Sequence, residues 1–111
     1  MSDCLFCRIV AGDIPSERVH EDEQVIVFRD IAPKAAVHLL VVPREHLVSL
    51  DDLAPKHDAL IAHCMRLLPK LARGQGLTTG YRTIINTGKG GGQEVPHLHI
   101  HLLGGDRLPG F

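Results

Sequence analysis

The chain predicts an α+β fold built on an antiparallel sheet. Three observations carry this: short β-branched and aliphatic runs on both sides of the chain's middle, one long stretch between them with helical apolar spacing, and short connections throughout. Strands before and after a single long helix suggest a sheet with its helices on one side. A chain of 111 residues is long enough for one hydrophobic core and too short for two ordinary domains. Residues 1–111 are therefore read as one domain, with any site on that unit or at a dimer interface. Hydrophobic residues make up 44% and charged residues 23% of the chain, the balance of a packed globular protein rather than a disordered one.

The elements follow in order. Ile14-Pro15 followed by Ser16 and Glu17 reads as a turn, and Val25-Ile26-Val27-Phe28 as a strand ending at Arg29-Asp30. Residues 31–34 break the pattern. Residues 37–42, Val-His-Leu-Leu-Val-Val, form a second strand, apolar on both faces and so central in its sheet, closed by Pro43. From Pro55 to Arg73, Leu60, Ile61, Cys64, Leu67, Leu68 and Leu71 recur at spacings of three and four, which marks a helix with one buried face. Pro69 inside that pattern should kink the helix or divide its last turn, and Gly74 and Gly76 should stop it. Tyr81 to Ile85 and Val95 to Leu103 read as two further strands, joined through the loop Gly88-Lys89-Gly90-Gly91-Gly92.

Composition excludes several classes of function. A formal net charge of -1 offers no basic surface, which argues against nucleic acid as a partner. The longest apolar run is interrupted by His38 and falls far short of the roughly 20 residues a membrane span needs, so no membrane partner is expected. The N-terminus, Met-Ser-Asp-Cys-Leu-Phe-Cys, lacks an extended apolar region and does not read as a secretory signal. A cytoplasmic location is expected. Cys4 and Cys7 are too close for a disulfide framework and have the spacing of half a zinc site. Two small buried cysteines packing as apolar residues are the plain alternative.

The chemistry concentrates in residues 97–103, His-Leu-His-Ile-His-Leu-Leu. In a strand successive side chains point to opposite faces, so His97, His99 and His101 share one face while Leu98, Ile100 and Leu102 line the other, toward the helix. Three imidazoles on one face suit a metal, but nucleophilic catalysis is the stronger reading, because a neutral imidazole can attack phosphorus and then leave. The glycine loop just upstream favours a phosphate ligand, since glycines let backbone N–H groups approach phosphate oxygens.

Those seven residues resemble the His-x-His-x-His-apolar-apolar signature of the histidine triad (HIT) family. Cys4-Leu5-Phe6-Cys7-Arg8-Ile9, Phe28-Arg29-Asp30-Ile31, His38-Leu39-Leu40-Val41-Val42-Pro43, Asn86 and Gly91-Gly92-Gln93-Glu94-Val95 extend the likeness to that family's nucleotide-binding branch over nearly the whole chain. The resemblance implies a HIT-like fold with about five antiparallel strands, one long helix and one short helix, and a sheet continuous across a homodimer. It makes His99 the nucleophile on the α-phosphate of a purine nucleotide and gives His101 the phosphate and leaving-group side, where an imidazolium would stabilise developing charge. His97 becomes a supporting member. It places Asn86 at ribose or phosphate, Asp30 and Ile31 at the nucleoside, Gly92, Gln93 and Glu94 in the phosphate loop, and His38 beside the triad. Some relatives carry serine where this chain has Glu94. A carboxyl there donates a proton if its pKa is raised and repels an anionic substrate if it is ionised.

The resemblance also completes a structural zinc site, with His46 and His97 joining Cys4 and Cys7, although some relatives with the cysteine pair bind no metal. Four protein ligands leave no open position for a catalytic water, so the implied catalysis needs no cofactor. The implied reaction is hydrolysis of the P–N bond of adenosine or guanosine phosphoramidates through a nucleotidyl-histidine, releasing AMP and an amine. A dinucleoside polyphosphate hydrolase, a nucleotidyl transferase and a non-catalytic nucleotide-binding scaffold are the competing functions. His20, His57 and His63 read as surface residues. The tail, Asp106 to Phe111, is short where relatives often extend toward the partner's site.

Overall fold

The structure, a computed structural model, describes residues 3–110. Met1 and Ser2 of the N-terminal segment and Phe111 at the end of the tail lie outside the described residues. The elements run α1 (Leu5–Val10), β1 (Arg18–Glu21), β2 (Val25–Arg29), β3 (Val37–Pro43), α2 (Asp58–Gly74), β4 (Tyr81–Ile84) and β5 (Ile100–Gly104). The five strands form one sheet in the order β1-β2-β3-β5-β4, and every pairing is antiparallel. β3, apolar on both faces, is central as its composition predicts. Among the described residues no helix is long and apolar enough to cross a membrane.

The expectation of helices on one side is corrected: each helix covers its own face. Leu60, Cys64, Leu67 and Leu68 of α2 pack with Val25, Val27, Leu39, Val41, Ile100 and Leu102. On the other face Phe6 and Ile9 of α1 pack with Ile26, Phe28, Leu40 and Val42. The alternation within β2 and β3 requires this, since strands apolar on both faces need cover on both. α1 is only six residues long, capped by Cys4, whose Sγ accepts from the Cys7 N–H.

Other boundaries differ from the sequence reading for local reasons. β1 escapes a pattern search because Arg18, His20 and Glu21 leave it a single aliphatic residue, Val19. Residues 55–57 form a separate 3-10 turn before α2. α2 runs unbroken through Pro69, since the one hydrogen bond proline removes would join Met65, on the exposed side of the helix. His57 is not a surface residue: it is 4% exposed, with Nδ1 accepting from the Ala54 N–H at 2.9 Å and Nε2 3.2 Å from Glu45. His20 and His63 both donate to Oδ2 of Asp22 at 2.7 Å, tying β1 to α2. Those two hydrogen bonds, with others from the Gln24 and Val25 backbone, overcome the effect of burial and hold the Asp22 carboxyl well below its usual range.

Candidate active site

The segment predicted as a strand over 95–103 pairs only from Ile100, where Val41 faces Ile100 and Leu40 faces His101. Before that the backbone bonds elsewhere, the Leu98 N–H to the Leu47 carbonyl at 2.6 Å and the His97 N–H to Val95 at 2.8 Å. The side-chain alternation survives this. Leu98, Ile100 and Leu102 enter the α2-side core, and Phe6 of α1 makes edge contacts with His97 and His99 on the opposite face.

The three histidines divide between two places. His99 and His101 line a cavity of about 440 Å³ between α1 and the sheet, within the range of small-ligand sites. His97 is absent from that wall, fully buried with its ring turned to the cysteines. The contact of His97 with the site is its backbone carbonyl, which accepts from His99 Nδ1 at 2.7 Å.

Backbone groups settle the tautomers. A carbonyl only accepts, so Nδ1 of His99 carries the ring proton and Nε2 keeps its lone pair at the cavity. His97 Nε2 donates to the Pro43 carbonyl at 2.8 Å, leaving its Nδ1 unprotonated toward Cys4, Cys7 and His46. The Lys34 N–H donates to His38 Nδ1 at 3.1 Å. His38 Nε2 therefore holds a proton and faces His101 Nδ1 at 2.9 Å and Asp30 Oδ2 at 3.5 Å. His101 accepts at Nδ1 and is protonated at Nε2.

Burial dominates the acid–base behaviour of these rings. It pushes His38 and His97 below the ordinary histidine value. His101 is pushed down to about 4, first by burial and then by the neighbouring His99 and His38. At neutral pH the His101 ring is therefore neutral and donates through Nε2–H.

The remaining predicted residues are placed as follows. Asp30, Asn86, Gly92 and Glu94 line the cavity, and Ile31 stands at its mouth, 98% exposed. Asn86 braces the glycine loop, its Nδ2 donating to the Gly91 carbonyl at 2.8 Å. Gly92, with φ +81°, takes a conformation that side-chain-bearing residues rarely adopt. Gln93 is not on the cavity wall: its amide donates to the Val48 and Val95 carbonyls and accepts from the Gly88 N–H, so it staples the loop. Sequence reasoning missed the apolar part of the cavity, built by Leu5, Phe6, Ile9, Ile14 and Phe28, as well as Lys34. The i, i+3 spacing of Phe6 and Ile9 was the available signal, hidden in a helix too short to show periodicity.

Cys4, Cys7, His46 and His97 converge, their donor atoms all within 4.8 Å of one another. Cys4 Sγ is 3.3 Å from His97 Nδ1, Cys7 Sγ is 3.1 Å from His46 Nδ1, and the two imidazole nitrogens are 3.2 Å apart. Among the described residues Cys4, Cys7 and Cys64 form no disulfide. Burial raises Cys4 and carries Cys64, on the α2 side, up to about 11.

Comparison with known proteins agrees with this arrangement. The family model described as scavenger mRNA decapping enzyme C-term binding matches residues 3–109. The protein HitA of Neisseria gonorrhoeae is 50% identical over 104 residues, 94% of this chain and 97% of its own length. An Escherichia coli K12 protein named purine nucleoside phosphoramidase is 38% identical over 107 residues, 96% of this chain and 90% of its own. Among solved structures, a histidine triad protein from Clostridium difficile superposes with a TM-score of 0.95 at 45% identity, over 100% of this chain and 97% of that one. A HIT family hydrolase from Legionella pneumophila gives 0.93 at 44% identity over 96% of each chain. With the matched model spanning nearly every residue, and with the alternating histidines on the site face of the sheet, the chain belongs to the histidine triad family.

Proposed function

We propose that this HIT family protein is a hydrolase of purine nucleoside phosphoramidates, with His99 as nucleophile. The observation that carries the reading is the His99 Nδ1–H bond to the His97 carbonyl, which leaves Nε2 as a free lone pair at the cavity. His99 Nε2 forms a bond to the α-phosphorus as the P–N bond breaks, and the departing amine takes its proton from water. His101 Nε2–H, with His38 donating to its other nitrogen, stays a neutral hydrogen-bond donor beside the nucleophile and stabilises charge on the phosphoryl oxygens. Water then cleaves the nucleotidyl-histidine to AMP and free His99. The apolar wall of Phe6, Ile9, Ile14 and Phe28 suits a nucleobase, and Asp30 suits ribose hydroxyls. A relative that covers nearly the whole chain bears the phosphoramidase name, which supports the same substrate class.

Steady-state release of amine from a fluorogenic adenosine phosphoramidate tests this. Wild type should turn over, and His99→Ala should lose about 10³-fold or more while still binding AMP. Equal turnover by both proteins would refute the nucleophile. AMP binding without turnover by either would favour the scaffold reading.

The Cys4, Cys7, His46 and His97 cluster is the proposed structural zinc site. Tetrahedral zinc separates sulfur and nitrogen ligands by roughly 3.3–3.6 Å, close to the 3.1–3.5 Å spacings here. When bound, zinc would fix the start of α1 to the segment carrying His99. Elemental analysis should find close to one zinc per chain, lost in Cys4→Ser/Cys7→Ser. Metal-free wild type purified without chelator, even after zinc loading, would refute it. Pairing of two copies along the outer edge of β4 is the proposed assembly, read by light scattering, where a monomer at all concentrations would contradict it.

A further inference from the structure

Cys4 and Cys7 stand where two supports of the cavity meet. Cys4 caps α1, its Sγ accepting from the Cys7 N–H at 3.4 Å, and α1 carries Phe6 and Ile9 to the cavity wall. The same sulfurs face His97, Cys4 Sγ at 3.3 Å and Cys7 Sγ at 3.5 Å from its Nδ1. His97 in turn holds the His99 ring through its carbonyl, and Phe6 lies edge-on to both imidazoles. A change at the sulfurs therefore reaches the apolar wall and the nucleophile together.

The two sulfurs are also placed to bond to each other. Two residues separate the cysteines in sequence, and their Sγ atoms lie within 4.8 Å, so linking them needs side-chain closure within one helical turn. Access differs between them. Cys4 is 8% exposed, whereas Cys7 is half-buried and meets the exposed His46 at 3.1 Å. A shallow surface groove lined by Cys4 and His46 opens this corner to solvent. Cys64 is fully buried on the opposite face of the sheet.

We propose that Cys4 and Cys7 are a redox-sensitive pair whose oxidation to a disulfide by a peroxide weakens nucleotide binding at the cavity. The inference rests on the nucleotide and zinc readings above. The more open Cys7 sulfur attacks a peroxide oxygen, the O–O bond breaks, and a sulfenic acid forms as one water departs. Cys4 sulfur then displaces the sulfenic oxygen as a second water, closing the disulfide. Two thiolates, two protons and one hydrogen peroxide thus give one disulfide and two waters, with two electrons passing from sulfur to peroxide oxygen. A disulfide sulfur no longer ligates zinc, and His46 and His97 alone are two donors where a structural site takes four. The His97 ring then keeps its Nε2 bond to the Pro43 carbonyl and loses the anchoring of Nδ1.

The test treats the purified protein, its zinc content already measured, with hydrogen peroxide. Released zinc is read with a chromogenic chelator, thiols by alkylation and mass spectrometry, and AMP affinity by displacement of a fluorescent AMP analogue. Trypsin leaves Cys4 and Cys7 in one peptide ending at Arg8, which should lose two hydrogens and resist alkylation, while Cys64 still alkylates after unfolding. Zinc should leave in step with the disulfide, and AMP affinity should fall about fivefold or more, recovering with dithiothreitol and zinc. Linkage is reciprocal, so AMP should tighten zinc by the factor by which zinc tightens AMP. In Cys7→Ser, peroxide should leave AMP affinity unchanged. An AMP affinity untouched by the disulfide, sulfinic acid in place of the disulfide, or an equal response in Cys7→Ser would overturn the proposal even if zinc is present. A protein that holds no zinc yet loses AMP affinity on forming the disulfide would refute the zinc reading and sustain the redox pair. No AMP binding by the reduced protein would overturn both the nucleotide reading and the proposal.

Discussion

Residues 97–103 put two unlike environments on opposite sides of one backbone. On the α2 side Leu98, Ile100 and Leu102 are 2, 3 and 0% exposed, inside a core of aliphatic side chains and the Cys64 thiol. On the α1 side His97, His99 and His101 are also largely covered, yet each is tied to a backbone carbonyl or to another imidazole. The apolar side gains from burial directly. The histidine side tolerates burial only because its polar atoms have partners, and those partners fix which nitrogen is free. Stability and chemistry are therefore separable here, residue by residue.

Leu102→Ala should be the largest disturbance of stability, about 2–5 kcal/mol in denaturant unfolding, because it empties space in a closed core. Activity per folded molecule should stay within about twofold. A large loss of kcat in the remaining folded protein would show that the two sides are coupled after all. His38→Phe attacks the other side. It keeps ring volume but removes the donor to His101 Nδ1, and should lower kcat about 10- to 100-fold, a loss of roughly 1.4–2.7 kcal/mol of transition-state stabilisation. Unchanged kcat would detach His38 from the chemistry.

The pH response should be smaller and of fixed sign. His38 and His101 titrate below their unfolded values, His101 at about 4. As pH falls from about 6.5 toward 4 the unfolded chain takes up protons that the native protein does not, so stability declines across that window. Unfolding at pH 7 and pH 5 should differ by on the order of 1–3 kcal/mol, and His101→Phe should flatten the slope. A protein more stable at pH 5 than at pH 7 would contradict the neutral, buried rings.

Much of this contrast was readable in the chain. Alternation of period two in residues 97–103 survives even where strand pairing does not, because the apolar residues still seek the core beneath. What the residues alone, without the family resemblance, could not reveal was the assignment of each histidine. His97 belongs to the cysteines because Pro43 and His46, more than fifty residues away in sequence, converge on its two nitrogens. His57 looked like a surface residue because its cap to Ala54 and its contact with Glu45 leave no periodic trace. Gln93 was placed at the nucleotide by the loop it occupies, whereas its amide is taken up by three backbone groups.

The most direct test of the central claim is rapid-quench mass spectrometry of the wild type mixed with an adenosine phosphoramidate. The account predicts an acid-labile adduct of one adenylyl group on His99, formed and lost at rates compatible with turnover and absent in His99→Ala. Turnover with the adenylyl group on a different residue, or with no covalent intermediate at a time resolution that should catch it, would contradict the assignment of His99 as nucleophile.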